Sequence, residues 1–471
     1  LAFKTTHGKH LVELKRKLNR AVGYKGVQLV TISRPTAYGE YAPYQFVDTE
    51  QEFEKNSLIL FVLMMSANVC NYLFQIVMGN LMEVEQYAQA NTVVSLVGVL
   101  SIPTTIITMI SARYIALNAS NGRYDRIRDV IRLMLKFASC IGLVLAIVIL
   151  ILLNKITILF ALDSRYYVIG ALVITIVNLC YSITSGTLQG MKHFFQYGMQ
   201  SIMIAAGKLI FSIGLVVLGW KVYGIITALL LGTGIAIVYG VHYMKKYILH
   251  RDEASARHGI DLKEFLRYSF GTIVAQGCVI ALTNGDILLV KAYFDDTQAG
   301  LYSSASVIGK IAMYVSTAIV ATLFPMVVEK HQKGESTEKL FWKAMLYGGG
   351  MAVICAVSMV LFGKLVISLL FGERYMQAIH ILPAVCVYVV ALTFITIMMN
   401  YLLAIDRVKV FGTVMVTALA AVIVFSVWFH ESVVQLMTMT GCVLLVAFVV
   451  NFLYLQYIRY NSKKKNEEKK V

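Results

Sequence analysis

The chain has 471 residues, of which 58% are hydrophobic and 14% charged, and its formal net charge is +16. Water-soluble domains contain about 25% charged and about 45–50% apolar residues, so this composition excludes an ordinary soluble enzyme, a disordered chain and a disulfide scaffold. It predicts an all-α polytopic membrane protein. In such a protein the excess of Lys and Arg is better explained by basic cytoplasmic loops than by nucleic-acid binding, and we expect no nucleic-acid partner.

The first 55 residues differ in composition from the rest of the chain. His7–Gly23 has apolar residues at helical spacing, and Val27–Ser33 reads as a strand. We therefore expect a small soluble α/β extension over residues 1–55, cytoplasmic and of unknown role. Its segment ISRPTAYGEYAPYQFVD resembles small uncharacterised bacterial proteins, and because the sequence starts with Leu we expect that the natural beginning is missing.

Apolar runs long enough to cross a bilayer follow from residue 56 onward. A helix needs about 20 residues to cross about 30 Å of hydrocarbon. Twelve predicted spans cover residues 57–79, 91–115, 133–153, 167–189, 197–219, 222–243, 268–293, 300–328, 344–370, 377–403, 410–429 and 433–457. We expect a six-helix bundle over 56–245, a cytoplasmic linker over 246–267, a second six-helix bundle over 268–458 and a basic cytoplasmic tail over 459–471.

Lys and Arg are distributed unevenly between the two sets of connections. The connections after even-numbered spans and the C-terminal tail contain 23, whereas the odd-numbered connections and the adjoining span ends contain six. This bias places both termini in the cytoplasm. We expect the basic tail to contact anionic phospholipids.

A pair of similar segments indicates an internal duplication. NKITILFALDSRYY, from Asn154, follows span 3, and GKLVISLLFGERYM, from Gly363, comes at the end of span 9. Because each half contains an even number of spans, both halves enter the membrane from the same side and are parallel repeats. That geometry places a substrate between the two halves.

Four ionisable side chains lie within the predicted spans, where a charge costs about 2.5–3.5 kcal/mol and usually faces a cavity or a partner. Lys208 and Lys310 are near mid-depth in spans 5 and 8, Asp286 is in span 7, and Arg113 is in the cytoplasmic third of span 2. Arg113 either snorkels to the headgroups or joins the two lysines in a cationic, phosphate-binding cavity. Asp286 and Lys310 either pair with each other or face that cavity.

Polar and proline residues within the spans extend this hypothesis. Asn71 and Gln75 are one turn apart on span 1, and Asn284 is two residues before Asp286. They are candidates to line the same cavity or to coordinate a coupling cation, with packing between polar helix faces as the alternative. Prolines are expected to bend spans 2, 8 and 10, at Pro103, Pro325 and Pro383.

The sequence contains no enzyme signature: no Walker loop, no HExxH and no GxSxG. The short odd-numbered connections also argue against a membrane-embedded glycosyltransferase or polymerase. All seven cysteines fall in predicted spans without metal-binding spacing. We expect a transporter with no cofactor and no metal, driven by an H⁺ or Na⁺ gradient, by the membrane potential or by the substrate gradient.

Two segments resemble bacterial polysaccharide flippases of the multidrug/oligosaccharidyl-lipid/polysaccharide exporter superfamily. They are NGDILLVKAYFDDTQAGLYSSASVIGKIA, from Asn284, and LQGMKHFFQYG, from Leu188. The resemblance covers residues 56–458 and implies a V-shaped, two-bundle transporter that moves undecaprenyl-pyrophosphate-linked oligosaccharide across the bacterial plasma membrane by alternating access. It also implies that Asp286 is the family's span 7 acid, that the mid-span cations hold the pyrophosphate, and that a polysaccharide polymerase or glycosyltransferases are partners.

Two departures and two alternatives accompany the resemblance. The lipid II flippase branch typically has more than twelve spans, which disfavours that branch, and residues 1–55 have no counterpart in the family. A cation-coupled multidrug exporter of the same fold is the first alternative, and it is expected to present acids to its cavity. The second is an envelope or sporulation assembly factor without transport.

Overall fold

A computed structural model describes residues 49–120, 125–249, 262–332, 335–405 and 407–468. These residues form helices joined by short turns, with no strand among them. The α-helices are α1 Thr49–Leu81, α2 Val84–Leu100, α3 Ile102–Ser120, α4 Asp125–Leu159, α5 Arg165–Gly190, α6 Phe194–Val217, α7 Lys221–Leu249, α8 Leu262–Tyr293, α9 Asp296–Gln332, α10 Glu338–Ala344, α11 Gly350–Leu361, α12 Gly363–Leu370, α13 Leu382–Ala404, α14 Val408–Ser426 and α15 Val433–Glu468. A π-helical turn, Met345–Gly349, precedes α11, and a 3₁₀ helix, Glu373–His380, precedes α13.

The chain forms two compact units, residues 1–65 and 66–471. Of the first unit the structure describes only residues 49–65, which are helical. The predicted helix His7–Gly23 and the predicted strand Val27–Ser33 lie outside the described residues. The packing and the sites described below belong to the second unit.

The predicted all-α polytopic membrane fold is confirmed. Within the described residues, ten helices are long and apolar enough to cross a membrane, and the bent pair α2 and α3 makes eleven. Helix α9, which occupies the eighth predicted span, is not among them, and its described part carries Ser303, Ser304 and Ser306. All three serine side chains are buried and hydrogen-bonded within the protein, so this polar part of α9 faces other helices rather than lipid.

Two halves of the second unit meet along one helix. Helices α2 to α7 pack on one another, and so do α8 to α15. The contact between the halves is made mainly by α2, which packs against both α8 and α9. After Ser101 the chain bends by 43°, and α3 packs chiefly on α4 and α5. The halves therefore adhere along α2 and diverge along α3.

The three prolines expected to bend spans have different positions. Pro103 is the second residue of α3, directly after the 43° bend, where its missing N–H removes no internal helix bond. Pro383 is the second residue of α13, so it begins a helix instead of bending one. The expectation for span 10 is corrected, because the residues before Pro383 form the 3₁₀ helix. Pro325 belongs to α9, which is continuous, and its side chain is outside the described part.

The ninth span was predicted as one run over 344–370 and is instead interrupted twice. Between α10 and α11 the π-helical turn exposes a carbonyl at Gly348, which accepts a hydrogen bond of 2.7 Å from the Ser316 hydroxyl of α9. Gly349 packs against the Phe394 ring so closely that a Cβ there would lie 2.3 Å from it. A second break, at Phe362, separates α11 from α12. The first break involves contacts with neighbouring helices, which a hydropathy pattern does not show.

Candidate functional site

A polar cavity of about 220 Å³ lies between the two halves. Helices α1, α2 and α6 contribute one side, and α8 and α9 contribute the other. Its lining residues are Asn68, Asn71, Tyr72, Gln75, Asn91, Val94, Ser95, Lys208, Thr283, Asn284, Ile287, Ser306, Val307, Lys310 and Tyr314. The cavity therefore brings together five of the residues singled out from the sequence: Asn71, Gln75, Lys208, Asn284 and Lys310.

Lys208 enters the cavity from α6 and is only 9% exposed. Its ammonium donates to Asn71 Oδ1 at 2.7 Å and lies 4.3 Å from the centre of the Phe74 ring. Within the described part of the chain it forms no ion pair with a carboxylate. An amide oxygen and an aromatic face stabilise an ammonium without neutralising it. The charge of Lys208 is thus available to an anion in the cavity.

Close packing beside Lys208 holds its helix in place. Gly207 lies against Gly232 of α7, where a Cβ on Gly207 would be 3.0 Å from the Gly232 Cα. The small residues beside Lys208 in the sequence allow another helix to approach closely, and α7 occupies that position. This packing keeps α6 and α7 together while the lysine side chain points to the other side, into the cavity.

Lys310 lines the opposite side of the cavity and is paired. Its ammonium lies 2.9 Å from Asp286 Oδ2 and 3.1 Å from Oδ1, and it donates to the Thr283 carbonyl at 2.8 Å. Oδ2 also accepts from the hydroxyls of Tyr302, at 2.9 Å, and Ser306, at 2.8 Å. Of the two interpretations of this pair, the buried ion pair is the one present. Asp286 itself is buried behind Lys310 and is not part of the cavity wall.

Amide side chains give the cavity both donors and acceptors. Asn284 donates to the Ile280 carbonyl at 3.0 Å. Gly98 of α2 makes room for it, because a Cβ at that position would lie 2.7 Å from the Asn284 Cγ. Gln75 accepts from the Tyr87 hydroxyl at 3.3 Å. Such groups hydrogen-bond neutral hydroxyls as well as charged oxygens.

The cavity and its immediate support carry a net positive charge. Lys208 and Lys310 supply two positive charges and Asp286 one negative charge, which gives +1. Among the residues that the structure describes, no carboxylate belongs to the cavity wall itself. Because a low-dielectric environment strengthens electrostatic interactions, this arrangement favours an anionic group surrounded by hydroxyls.

Arg113, the third predicted cation, is elsewhere. It is exposed on α3 and is not among the residues that line the cavity. The bend at Ser101 explains the difference. Helix α2 runs along the interface between the halves, whereas α3, after the bend, packs chiefly on α4 and α5. An apolar run read as one straight span would place Arg113 on the same axis as the cavity residues of α2.

Several lining residues were not predicted, although part of the pattern is visible in the sequence. Asn68, Asn71, Tyr72 and Gln75 are separated by the helical intervals of three and four residues, so they share one face of α1. Thr283 and Asn284 likewise extend a polar face of α8 towards the cavity. Asn91 and Ser95, one turn apart on α2, form a similar stripe. A search for polar stripes on otherwise apolar spans would have found these positions.

One end of the interface is closed by hydrogen bonds between the halves. We call this region the closed end and define it as residues 79–91, 161–165, 291–300 and 370–375. Gln89 of α2, 1% exposed, donates to Asp296 Oδ2 at 2.9 Å and to the Ala161 carbonyl at 3.0 Å. Asp296 also pairs with Lys291, which is 1% exposed. This network crosses from α2 to the second half.

A second set of contacts seals the closed end around the last turn of α1. Arg374 donates to the Asn80 carbonyl at 2.8 Å, and Tyr375 donates to the Gly79 carbonyl at 3.0 Å. Burial raises the pKa of the Tyr375 hydroxyl, so the hydroxyl keeps its proton and remains a donor. At the start of α9, Gly300 packs directly on the Val84 carbonyl of α2, and a Cβ there would be 2.3 Å from that oxygen. The two halves are therefore in backbone contact at this end.

Sequence comparisons identify two different families along the chain. Residues 123–380, which are 258 of the 471 residues, match the profile of a family described as polysaccharide biosynthesis protein. Residues 1–58 match a family of unknown function. No curated protein matches the chain.

Comparisons of structure find transporters of the same fold. A multidrug resistance MATE family transporter of the MOP superfamily, described as inward-facing, has a TM-score of 0.68 at 15% identity, and the match covers 87% of this chain and 99% of that one. An outward-facing transporter of the same description has a TM-score of 0.58 at 16% identity, with 87% and 96% covered. A MATE protein in a straight conformation has a TM-score of 0.58 at 15% identity, with 88% and 97% covered. At these identities the match concerns the fold.

Proposed function

The chain belongs to the polysaccharide biosynthesis protein family, and from this premise we propose that it is a flippase for undecaprenyl-pyrophosphate-linked oligosaccharide. It has the fold of a membrane transporter of the multidrug/oligosaccharidyl-lipid/polysaccharide exporter superfamily. The proposed step is the movement of the sugar-bearing headgroup from the cytoplasmic to the outer leaflet, for assembly of a cell-surface polysaccharide.

The observation that carries the proposal is the unpaired charge of Lys208. A buried ammonium without a carboxylate partner is unfavourable unless a ligand supplies the compensating negative charge. Lys208 points into a cavity whose wall has a second ammonium, at Lys310, and no acid. A pyrophosphate, which carries negative charge on several oxygens, is a suitable ligand for two lysines on opposite walls.

The neutral part of the cavity fits the first sugar of the cargo. Asparagine, glutamine, serine and threonine side chains surround the two ammonium groups, and they match the hydroxyls of a saccharide. The volume of about 220 Å³ is below the range of about 300–1,000 Å³ that is usual for drug-sized ligands. We therefore propose that the cavity holds the pyrophosphate and the adjoining sugar, while the polyprenyl tail remains in the bilayer.

The closed end supports an inward-facing state. With both termini in the cytoplasm, as the distribution of Lys and Arg predicts, the closed end lies on the outer side of the membrane. The halves adhere there along α2 and diverge along α3, which leaves the cytoplasmic side to admit the cargo. The neighbour described as inward-facing also superposes with a higher TM-score than the outward-facing one.

A multidrug exporter of the same fold is the competing function. Such an exporter takes up cationic drugs, which would require a cavity of net negative charge. The wall here is cationic and contains no carboxylate, so the chemistry of the cavity supports an anionic cargo. An assembly factor without transport is not supported by any feature of the described residues.

The setting we propose is the bacterial plasma membrane. The basic C-terminal tail would contact anionic phospholipids on the cytoplasmic face. A polysaccharide polymerase or glycosyltransferases are the proposed partners, because they would supply the cargo or consume it. The transporter needs no cofactor of its own, and the membrane potential, negative inside, is the proposed driving force, because it favours outward movement of an anionic headgroup.

Replacement of Lys208 tests the proposal. Proteoliposomes containing the full chain would be supplied with a fluorescent polyprenyl-pyrophosphoryl disaccharide on one side, and its appearance on the other side would be measured. Lys208→Gln should reduce the rate about 10–100-fold, because a hydrogen bond to a charged group contributes about 1.5–3 kcal/mol. Lys155→Gln, which removes an exposed lysine at the end of α4, is the matched control and should transport normally.

Three results would count against the proposal. Equal transport rates for the wild type and Lys208→Gln would show that the cationic cavity does not bind the cargo in the proposed way. Efflux of a cationic dye with no movement of the disaccharide lipid would favour the drug exporter. Failure of the wild type to restore surface polysaccharide in a host that lacks its own flippase, while the chain inserts normally, would oppose the proposed role in cells.

A further inference from the structure

We infer that Lys310 is shared between Asp286 and the phosphate of the cargo, and that Asp286 takes up a proton when Lys310 leaves it. Asp286 is then the site at which cargo binding is linked to a proton. The inference rests on the proposed function, because it requires an anionic group in the cavity. It assigns different roles to the two lysines: Lys208 is free to bind, whereas Lys310 must first be released.

The ammonium of Lys310 occupies a position built for a cation. Three oxygens surround it, both carboxylate oxygens of Asp286 and the Thr283 carbonyl, at 2.8 to 3.1 Å. The carboxylate is fully buried, and the Lys310 side chain retains 11% exposure and lines the cavity. Within the described residues, the lysine is therefore the one charged group that reaches both the buried acid and the cavity. Its long flexible stem permits a rotation from one to the other.

An anion in the cavity competes with Asp286 for this ammonium. A phosphate oxygen and a carboxylate are both strong acceptors, and Lys208 on the facing wall attracts the phosphate to the same space. Once Lys310 turns towards the phosphate, Asp286 loses its counter-charge. A buried carboxylate without a partner is strongly unfavourable, and protonation is the usual way in which such a group is neutralised.

The hydrogen bonds around Asp286 favour a proton over a metal cation. The hydroxyls of Tyr302 and Ser306 both donate to Oδ2, so their hydrogens point towards the acid and would have to turn away before they could coordinate Na⁺. A proton on Oδ1 requires a single acceptor. The Thr283 carbonyl, which loses its bond from Lys310, supplies one.

The other titratable groups near Asp286 do not take up the proton in its place. Tyr302 and Tyr314 lie on α9, and Tyr388 on α13 is fully buried, with its hydroxyl bonded to the Leu282 carbonyl of α8. These phenols are neutral donors at neutral pH. Lys208, on α6, is the remaining charged group that faces this region across the cavity. In the linked step Lys310 keeps its own proton, and the proton on Asp286 is taken up from the surrounding solution, whose buffer supplies it.

The linkage predicts how affinity depends on pH. Because the cargo-bound state holds one more proton than the free state, the dissociation constant should rise with pH, by up to about tenfold per unit from about pH 6 to about pH 8. The probe is a polyprenyl-pyrophosphoryl-N-acetylglucosamine, a diester whose phosphates do not titrate in this range. Its affinity for the detergent-solubilised full chain would be measured by calorimetry. Mixing in weak buffer with an indicator dye would measure the proton uptake directly.

Asp286→Asn separates the linkage from binding. The amide keeps the shape of the side chain but neither pairs with Lys310 nor takes up a proton, so the variant should bind the probe with no dependence on pH and at least as tightly as the wild type at about pH 8. Lys208→Gln should weaken binding and retain the dependence on pH, because it leaves the Asp286 and Lys310 pair intact. Exchange of Na⁺ for choline should leave every value unchanged.

The outcomes distinguish this inference from the proposed function. If the wild type does not bind the probe at any pH, the proposed function fails. If it binds without proton uptake, or if Asp286→Asn keeps the wild-type slope, the linkage at Asp286 fails and the function stands. A requirement for Na⁺ in place of the slope would overturn the assignment of a proton. Should Asp286→Asn fail to fold, the indicator measurement on the wild type decides alone.

Discussion

The cavity and the closed end each contain a lysine that is almost completely buried, and the two lysines differ in their partners. At the closed end, Lys291 pairs with Asp296, which also accepts a hydrogen bond from Gln89 across the interface. In the cavity, Lys208 has an amide oxygen and an aromatic ring but, in the described part of the chain, no acid. The paired lysine at the closed end neutralises the carboxylate to which Gln89 donates across the interface, whereas the unpaired lysine in the cavity has its charge available to a ligand.

The same contrast explains how one interface serves two purposes. At the closed end the halves are joined by backbone packing at Gly300 and by side chains that bond to carbonyls. Around the cavity, the Asn and Gln side chains provide amide oxygens and N–H groups that can hydrogen-bond the cargo. Alternating access would require the first set to break while the second set holds the cargo. The comparison therefore predicts that mutations in the two regions separate stability from transport.

Lys291→Met should have the largest effect on stability. It leaves Asp296 without its counter-charge, and the loss of a partner from a buried pair costs about 3–5 kcal/mol. Because Asp296 is partly exposed, we expect about 2–3 kcal/mol, measured as a lower midpoint of thermal unfolding in detergent. The control is Lys155→Met, at an exposed lysine, which should keep the wild-type midpoint. An unchanged midpoint in Lys291→Met would mean that the pair does not hold the closed end.

Gly300→Ala should disturb the closed end by about 1–3 kcal/mol, because the new methyl group meets the Val84 carbonyl, which is backbone and cannot move independently. We expect the cavity to become more accessible from outside. A cysteine introduced at Ser95 should then react faster with a membrane-impermeant thiol reagent in intact cells.

The matched control for this change is Gly285→Ala, also in a helix of the second half, where a Cβ meets nothing within 4 Å. It should leave the labelling rate unchanged. If both variants label at the same rate, the close approach of α2 and α9 is not what seals the outer end.

Lys208→Met should sharpen the comparison, because it is expected to leave the stability of the protein unchanged or to raise it by about 1 kcal/mol, while transport of the disaccharide lipid is lost. The substitution removes an uncompensated buried charge, and it replaces the contact of the ammonium with the Phe74 ring by an apolar side chain of similar length. Thermal unfolding and the flipping assay would be carried out on the same preparation. A loss of stability as large as that of Lys291→Met would show that Lys208 is a structural residue.

Arg113→Gln should have the smallest effect. The side chain is exposed on α3, away from the cavity wall, and substitutions at exposed sites usually change stability by no more than about 0.5 kcal/mol. We expect a transport rate within about twofold of the wild type. A loss of transport comparable to that of Lys208→Gln would indicate that Arg113 contributes to cargo movement after all.

Much of the candidate site was predictable one helix at a time. Asn71 and Gln75 are one turn apart, and Lys208 is flanked by small residues. Each of these features belongs to a single span, and all three residues face the cavity. The pairing of Asp286 with Lys310 was one of two open interpretations, because residues 24 positions apart on successive helices meet only at a particular crossing geometry. The contact of Lys208 with Asn71, separated by 137 residues, gave no signal in the sequence.

The sequence by itself determined the membrane class, the approximate positions of the uninterrupted helices, the distribution of positive charge and the small set of polar side chains within apolar spans. These follow from local composition, because lipid demands a long apolar helix and tolerates a charge only where protein or water surrounds it. Tertiary structure alone decided that Lys310 is paired, that Lys208 is not, and that the bend at Ser101 carries Arg113 away from the interface. Those outcomes depend on which faces of distant helices meet, and the periodicity of one helix contains no information about the orientation of its neighbour.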